Sequence, residues 1–229
     1  MRRWSLVLSG AVLLLGGLYA GISAEAWNRI TATDRGCLEA QATQTPANFE
    51  ARYRLDRRPD LDAAPYRFDA EDVGFESLEP GLQLRAWYAA PARPDGPVVI
   101  VVPGKGSCRR DPVSLLPAGM LHRHGFGVLI VDLRDHGESD VDDGHWSAGV
   151  DEWQDVLGAW SWLRSRGMPA ERIGLYGGSM GAGSVAYAML HEPQAAAAFL
   201  DSPYADILQA STFYAEANDE PAILVPGAL

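Results

Sequence analysis

Two cysteines, Cys37 and Cys108, are the whole supply in a chain of 229 residues. Two thiols are too few for a disulfide framework and too few for a zinc-ligand cluster. In an oxidising compartment they could pair, but sequence does not show whether their Cα atoms come within bonding range. Two free thiols are the default expectation. Positive charge is also in short supply, with 19 Lys and Arg against 30 Asp and Glu and a formal net charge of -11. Phosphate binding needs a basic face, so the balance argues against a nucleic-acid partner. No internal repeat is visible. The acidic loop "DLRDHGESDVDDGHW", which holds His136 and His145, lacks the spacing of a calcium loop, where glycine sits at position six of a D-x-[DN]-x-[DN]-G frame. It is read as a solvated loop, and no metal site is expected.

What the chain does have is an ordinary globular composition, 47% hydrophobic and 21% charged, enough for one sizeable core. The N-terminus is distinctive. Arg2 and Arg3 precede "WSLVLSGAVLLLGGLYAGIS", Trp4 to Ser23, a run without charge. Its length matches the roughly 20 residues that cross the hydrocarbon core of a bilayer. The flanking arginines would keep that end cytoplasmic and place the rest outside. The alternative is a signal peptide cleaved after Ile22-Ser23-Ala24, releasing a secreted protein, although signal cores run only about 7–15 residues. An uncleaved anchor over residues 1–24 is the preferred expectation, with the membrane as a partner. Residues 25–70 mix both charges with Pro, Ala, Thr and Gln, show no sustained period, and read as a tether and lead-in.

From residue 71 the texture changes. "DVGFESLEPGLQLRAWYAAP" offers two alternating segments around Glu79-Pro80-Gly81, a hairpin signal. "PVVIVVPG" and "GVLIVDL" are continuous apolar runs of the kind that suit strands buried on both faces. "RIGLYGG" and "AAAFLDS" supply a third and a fourth. Between them lie helices at Ser114 to His124, along "VDEWQDVLGAWSWLRSRG", and from Gly181 to His191. In the second, Trp153, Val156, Leu157, Trp160 and Leu163 form one stripe, with Asp151 and Glu152 at the end where the macrodipole favours acids. Strands alternating with helices give an α/β fold, a mostly parallel sheet covered on both faces.

The candidate site follows the third of these runs. Gly177-Gly178-Ser179-Met180-Gly181 spells G-x-S-x-G between a buried strand and a helix. A nucleophile elbow needs Gly177 and Gly181 for steric reasons, because the serine is held on a tight, strained turn. Ser179 is therefore the candidate nucleophile, and the helix N-terminus behind it favours an oxyanion. "VVPGKGS", "VDLRDHGESD" and "GGSMGAG", in that order, make residues 71–229 similar to the α/β-hydrolases, and in particular to serine aminopeptidases, monoacylglycerol lipases and Bem46-like membrane-anchored proteins.

That resemblance implies a serine hydrolase acting on an ester, thioester or amide of a small-molecule or peptide acyl substrate, through an acyl-enzyme on Ser179 and without a cofactor. It also implies backbone N–H groups of Lys105 and Met180 as the oxyanion hole. Two positions depart from the relatives' pattern: Pro103-Gly104 where many have His-Gly, and Arg134-Asp135-His136-Gly137 where they read Arg-Gly-His-Gly. Asp201 could be an acid at the end of its strand, but capping or bracing the next helix is the expected role. The family order is Ser, acid, then His. The sole histidine after Ser179 is His191, roughly 18 Å along the same helix at 1.5 Å per residue. The last residues, "DEPAILVPGAL", are apolar and offer no closing helix. The expectation is therefore a domain whose last strands are absent, with an unpaired sheet edge. The competing function is a silent hydrolase-fold fragment or binding module.

Overall fold

The computed structural model describes residues 2–33, 35–51, 62–192 and 194–217, with side chains for all of these except 2–9, 11 and 214. The apolar tail "DEPAILVPGAL" lies outside the described residues, as do positions 52–61 of the expected tether. Two compact units divide the chain. One comprises Thr33–Tyr204, and the other the described parts of Met1–Ala32 and Ala205–Leu229. The second unit holds two helices, α1 (Arg2–Thr31) and α6 (Ile207–Ala217). Among the described residues no helix is long and apolar enough to cross a membrane. α1 nevertheless contains the whole of Trp4 to Ser23.

The larger unit is built on a six-stranded sheet: β1 (Glu71–Glu76), β2 (Gln83–Ala89), β3 (Val98–Val102), β4 (Gly127–Val131), β5 (Ile173–Gly178) and β6 (Ala197–Asp201). Their spatial order is β1-β2-β4-β3-β5-β6. The hairpin pairs antiparallel with itself and with β4, and the other three pairings are parallel. Four helices accompany the strands: α2 (Gly36–Ala40), α3 (Pro112–Arg123), α4 (Trp153–Ser165) and α5 (Met180–His191).

The apolar runs of β3 and β4 are buried by two cores, one on each face, whereas the run that forms β6 is exposed. Along β3, Val98, Ile100 and Val102 join the core that holds α4 and α5. Val99 and Val101 point the other way, into the core under α3. A strand covered on both sides has no polar alternation, which is why its sequence reads as an unbroken run. The α4 stripe packs as its period implies, with Val156, Leu157, Trp160 and Leu163 buried. Trp153 is only half-buried and stacks on His191, ring centroids 3.9 Å apart.

Two expectations need correcting and a third is extended. α3 starts at Pro112, two residues before Ser114, because Asp111 caps it by accepting from the Val113 N–H and proline suits the first helical position. Glu152 stands at the N-cap of α4, where the dipole favours an acid, and it has a further role. Its buried carboxylate turns back to accept from Ser147 N, Ser147 Oγ and Gly149 N, bracing the preceding loop. The two cysteines are joined, Cys37 to Cys108, with Cα atoms 6.0 Å apart. Closing a loop across a sequence separation of 71 is worth about 4 kcal/mol in the chain-entropy account. The bond also shows that the stretch read as a tether is not uniform. Residues 33–51 belong to the larger unit, where Phe49 is fully buried beside Phe68.

Among the described residues β6 is a sheet edge. All five of its residues are exposed, including Phe199 at 63% and Leu200 at 37%.

Candidate active site

The carboxyl ends of β3, β5 and β6 meet at one cleft, as parallel sheets dictate for ligand sites. β5 ends in Gly178 and the chain must reverse at once into α5. Ser179 makes that reversal at φ 51°, a left-handed conformation that a residue with a Cβ adopts at a cost of about 1–3 kcal/mol. Both glycines of the motif are required by close approach. A Cβ on Gly181 would overlap the carbonyl oxygens of Val102 and Pro103, and one on Gly177 would overlap the Gly181 carbonyl. The turn is fastened to the neighbouring strand, since Ser179 N donates to the Asp201 carbonyl at 2.8 Å.

The side chain this turn presents is exposed. It opens on a cleft of about 400 Å³ whose walls include Pro103, Lys105, Tyr176, Asp201 and Ser202. The loop after β3 comes directly against Ser179. A Cβ on Gly104 would sit 3.2 Å from Ser179 Cβ and 3.1 Å from the Gly178 oxygen. Gly104 to Ser107 form a tight turn closed by Ser107 N donating to Gly104 O, with Gly106 at φ 68°. Lys105 occupies the first central position of that turn, and its ammonium lies 5.1 Å from the centre of the Trp146 ring. Met180 opens α5, in the first turn, where backbone N–H groups have no intrahelical acceptor.

Asp201 also faces this cleft, a placement that its position in the sequence signals only weakly. Tyr176 Oη donates to its Oδ2 and Ser202 Oγ to its Oδ1, both at 3.0 Å. Ser202 follows at φ 55°, so the in-register ends of β5 and β6 (Gly178 opposite Asp201) both lead into left-handed serines.

Behind the cleft, the loop after β4 is held by charge. Asp132 is fully buried and accepts from Arg109 N at 2.7 Å and Glu138 N at 2.9 Å. Burial pushes its carboxyl up, opposed by the Arg109 guanidinium 3.2 Å away. Arg134 reaches Asp155 at 2.9 Å and Glu79 at 2.6 Å, tying the loop to α4 and to the hairpin. Asp135, which departs from the family pattern that the sequence resembles, stands at φ 60°. Its Oδ1 accepts from Asp142 N and Gly144 N, both at 2.9 Å, so the departure from the pattern supplies a brace.

None of the five histidines reaches Ser179 Oγ, which has no hydrogen-bond partner among the described residues. His136 is buried with Nδ1 donating to Arg134 O at 2.7 Å, and it does not line the cleft. His122 pairs with Phe126 O at 3.1 Å. His191 is taken up by the stack on Trp153 at the far end of α5. Among the described residues no group of three or more His, Cys, Asp or Glu could hold a metal.

Comparison with known proteins agrees with this geometry. The family model described as serine aminopeptidase, S33, matches residues 97–222, more than half of the chain. Among solved structures, an esterase from Pyrococcus furiosus, Pf2001, is 25% identical with a TM-score of 0.55, over 73% of this chain and 63% of its own. The α/β-hydrolase GrgF from Penicillium sp. sh18 is 24% identical with a TM-score of 0.55, over 66% of this chain and 54% of its own. Est1E from Butyrivibrio proteoclasticus, solved with ferulic acid bound, is 21% identical with a TM-score of 0.53, over 60% and 55%. The chain thus spans a little over half the length of these structures. No curated protein matches the sequence. With the elbow, the strand order and the family match in agreement, the chain belongs to the serine aminopeptidase S33 family of α/β-hydrolases.

Proposed function

We propose that this chain carries the nucleophile and oxyanion hole of a serine hydrolase that cleaves an ester, thioester or amide through an acyl-enzyme on Ser179. One observation carries the reading: Ser179 is exposed on a left-handed turn, pressed against the Gly104–Ser107 loop, at the mouth of a cleft. In this reading Ser179 Oγ attacks the acyl carbon, and the N–H groups of Lys105 and Met180 hold the developing oxyanion. All three acyl classes pass through that tetrahedral state, so the elbow does not select among them. The esterase name of the Pyrococcus relative favours an ester.

The absence of a histidine partner for Ser179 among the described residues favours a second reading: the hydrolase fold without a working proton acceptor. Both readings are addressed on one sample. A fluorophosphonate probe, which needs a reactive serine but no leaving-group protonation, labels the wild type slowly and leaves Ser179→Ala unlabelled. Turnover of a p-nitrophenyl ester stays near background. Robust Ser179-dependent turnover would remove the second reading, and labelling that survives the substitution would remove the first.

For location, the proposed setting is a membrane anchor with the catalytic unit outside the cytoplasm. Support comes from the uncharged run within α1, from Arg2 and Arg3 ahead of it, and from the Cys37–Cys108 bond, since disulfides persist in oxidising compartments.

A further inference from the structure

The disulfide does more than join two distant residues, because of where its neighbours lead. Thr33 and residues 35–44 cross both loops that follow the central strands. Thr33 donates through N (2.9 Å) and Oγ1 (3.0 Å) to Gly144 O, and Arg35 Nη2 donates to Ser139 O, all in the loop after β4. Cys37 then bonds Cys108 in the loop after β3, and the Gln44 carbonyl accepts from Arg110 at 3.3 Å. Beyond that, Phe49 is locked into the core and its carbonyl accepts from Arg67 at 3.0 Å. The strap is therefore anchored at its far end and clipped to each loop in turn. Its one covalent clip falls three residues after Lys105, in the loop whose Gly104 touches Ser179.

We infer that Cys37 and Cys108 are positioning residues for the oxyanion loop: the bond fixes the Gly104–Arg110 segment relative to the nucleophile, so that Ser179 reactivity depends on it. The physical reason is that oxyanion donors act only when preorganised. The loop's other fasteners are hydrogen bonds and charge contacts. Its first half is a four-residue turn around Gly106, which has no Cβ to pack. Its second half rests on Arg109, whose N–H is held by Asp132 and whose guanidinium meets Asp132, Glu138 and Asp72. Between these halves the disulfide adds a covalent tie to the backbone bond from Asp111 N to the Cys108 carbonyl (3.0 Å). This inference rests on the proposed role of Ser179 for its kinetic consequence, but not for the bracing itself.

The test compares the full chain with Cys37→Ala/Cys108→Ala. A second sample keeps the native sequence and is reduced after folding by a phosphine, which converts the bond to two thiols and takes oxygen from water to become its oxide. Cys108 is fully buried and Cys37 nearly so, so completeness of reduction is checked by thiol mass tagging. A third protein, Leu163→Ala on α4, lowers stability without touching either loop.

Hydrogen exchange is read at amides that the braced loops protect: Ser107, Arg109, Asp142 and Gly144. The expected result is faster exchange at these amides in both bond-free samples. Their maximal fluorophosphonate labelling rate should fall by at least about fivefold, a fraction of the 10²–10³ seen when an oxyanion donor is removed outright. Leu163→Ala should melt earlier yet label within about twofold of wild type. Unchanged exchange in these loops overturns the inference, as does a labelling loss in Leu163→Ala equal to that of the bond-free samples. Should Ser179 take no label in any sample, the nucleophile reading fails, and the exchange data still decide whether the strap holds the loops.

Discussion

Ser179 owes its exposure to its neighbours' lack of side chains. At Gly181 the nearest atoms are backbone oxygens of Val102 and Pro103, which cannot rotate aside. Gly181→Ala is therefore expected to destabilise by about 2–4 kcal/mol, through overpacking against fixed backbone. A melting curve checks it, and a loss below about 0.5 kcal/mol would show that the elbow is looser than described. Sequence makes this residue-scale geometry legible because G-x-S-x-G between an apolar strand and a helix has few other uses. Asp135 is harder to read. In the sequence its carboxylate is simply an added charge, but its position at φ 60° and its two backbone donors show a side chain that braces residues 142–144.

Elements are legible where burial is uniform. β3 and β4 show as unbroken β-branched runs because both their faces are covered. The α3 boundary slips because Asp111-Pro112 is a cap and first turn that apolar periodicity does not register. Residues 33–51 give no signal at all, since a strap held by one covalent bond and by cross-loop hydrogen bonds needs no periodic pattern. Cys37 and Cys108 stand 71 residues apart, and only the folded chain shows that they meet.

In the loops these elements carry, the Glu138 carboxylate paired with Arg109 and Arg110 is the group whose shift makes stability sensitive to acid. Burial raises the Glu138 pKa, but the hydrogen bond to Arg110 and the charges of Arg109 and Arg110 outweigh it and leave the carboxyl below its ordinary value of 4.5. A carboxylate with a depressed folded pKa stabilises above its unfolded pKa and loses that contribution as pH falls through the folded one. Melting temperature should therefore fall less steeply below about pH 4.5 in Glu138→Gln than in the wild type. Parallel curves would assign the acid sensitivity to other groups. Because Glu138 is partly exposed, the difference is expected to be modest.

At the scale of the whole chain, the α/β order, the hairpin before β3 and the elbow after β5 are all readable, because alternating strands and helices leave one economical topology. The proposed N-terminal anchor is tested at this scale. Fractionation with protease shaving is expected to recover the chain with membranes and to expose the larger unit from the extracytoplasmic side. A soluble product beginning at Glu25 would show signal cleavage instead.

One serine carries the catalytic assignment. The most direct measurement is to treat the folded chain with a fluorophosphonate and locate the adduct by peptide mass spectrometry, alongside Ser179→Ala. The expected result is a single adduct on the peptide containing Leu175 to Gly183, absent in the variant. An adduct elsewhere, or equal labelling of the variant, would contradict the assignment of Ser179 as nucleophile.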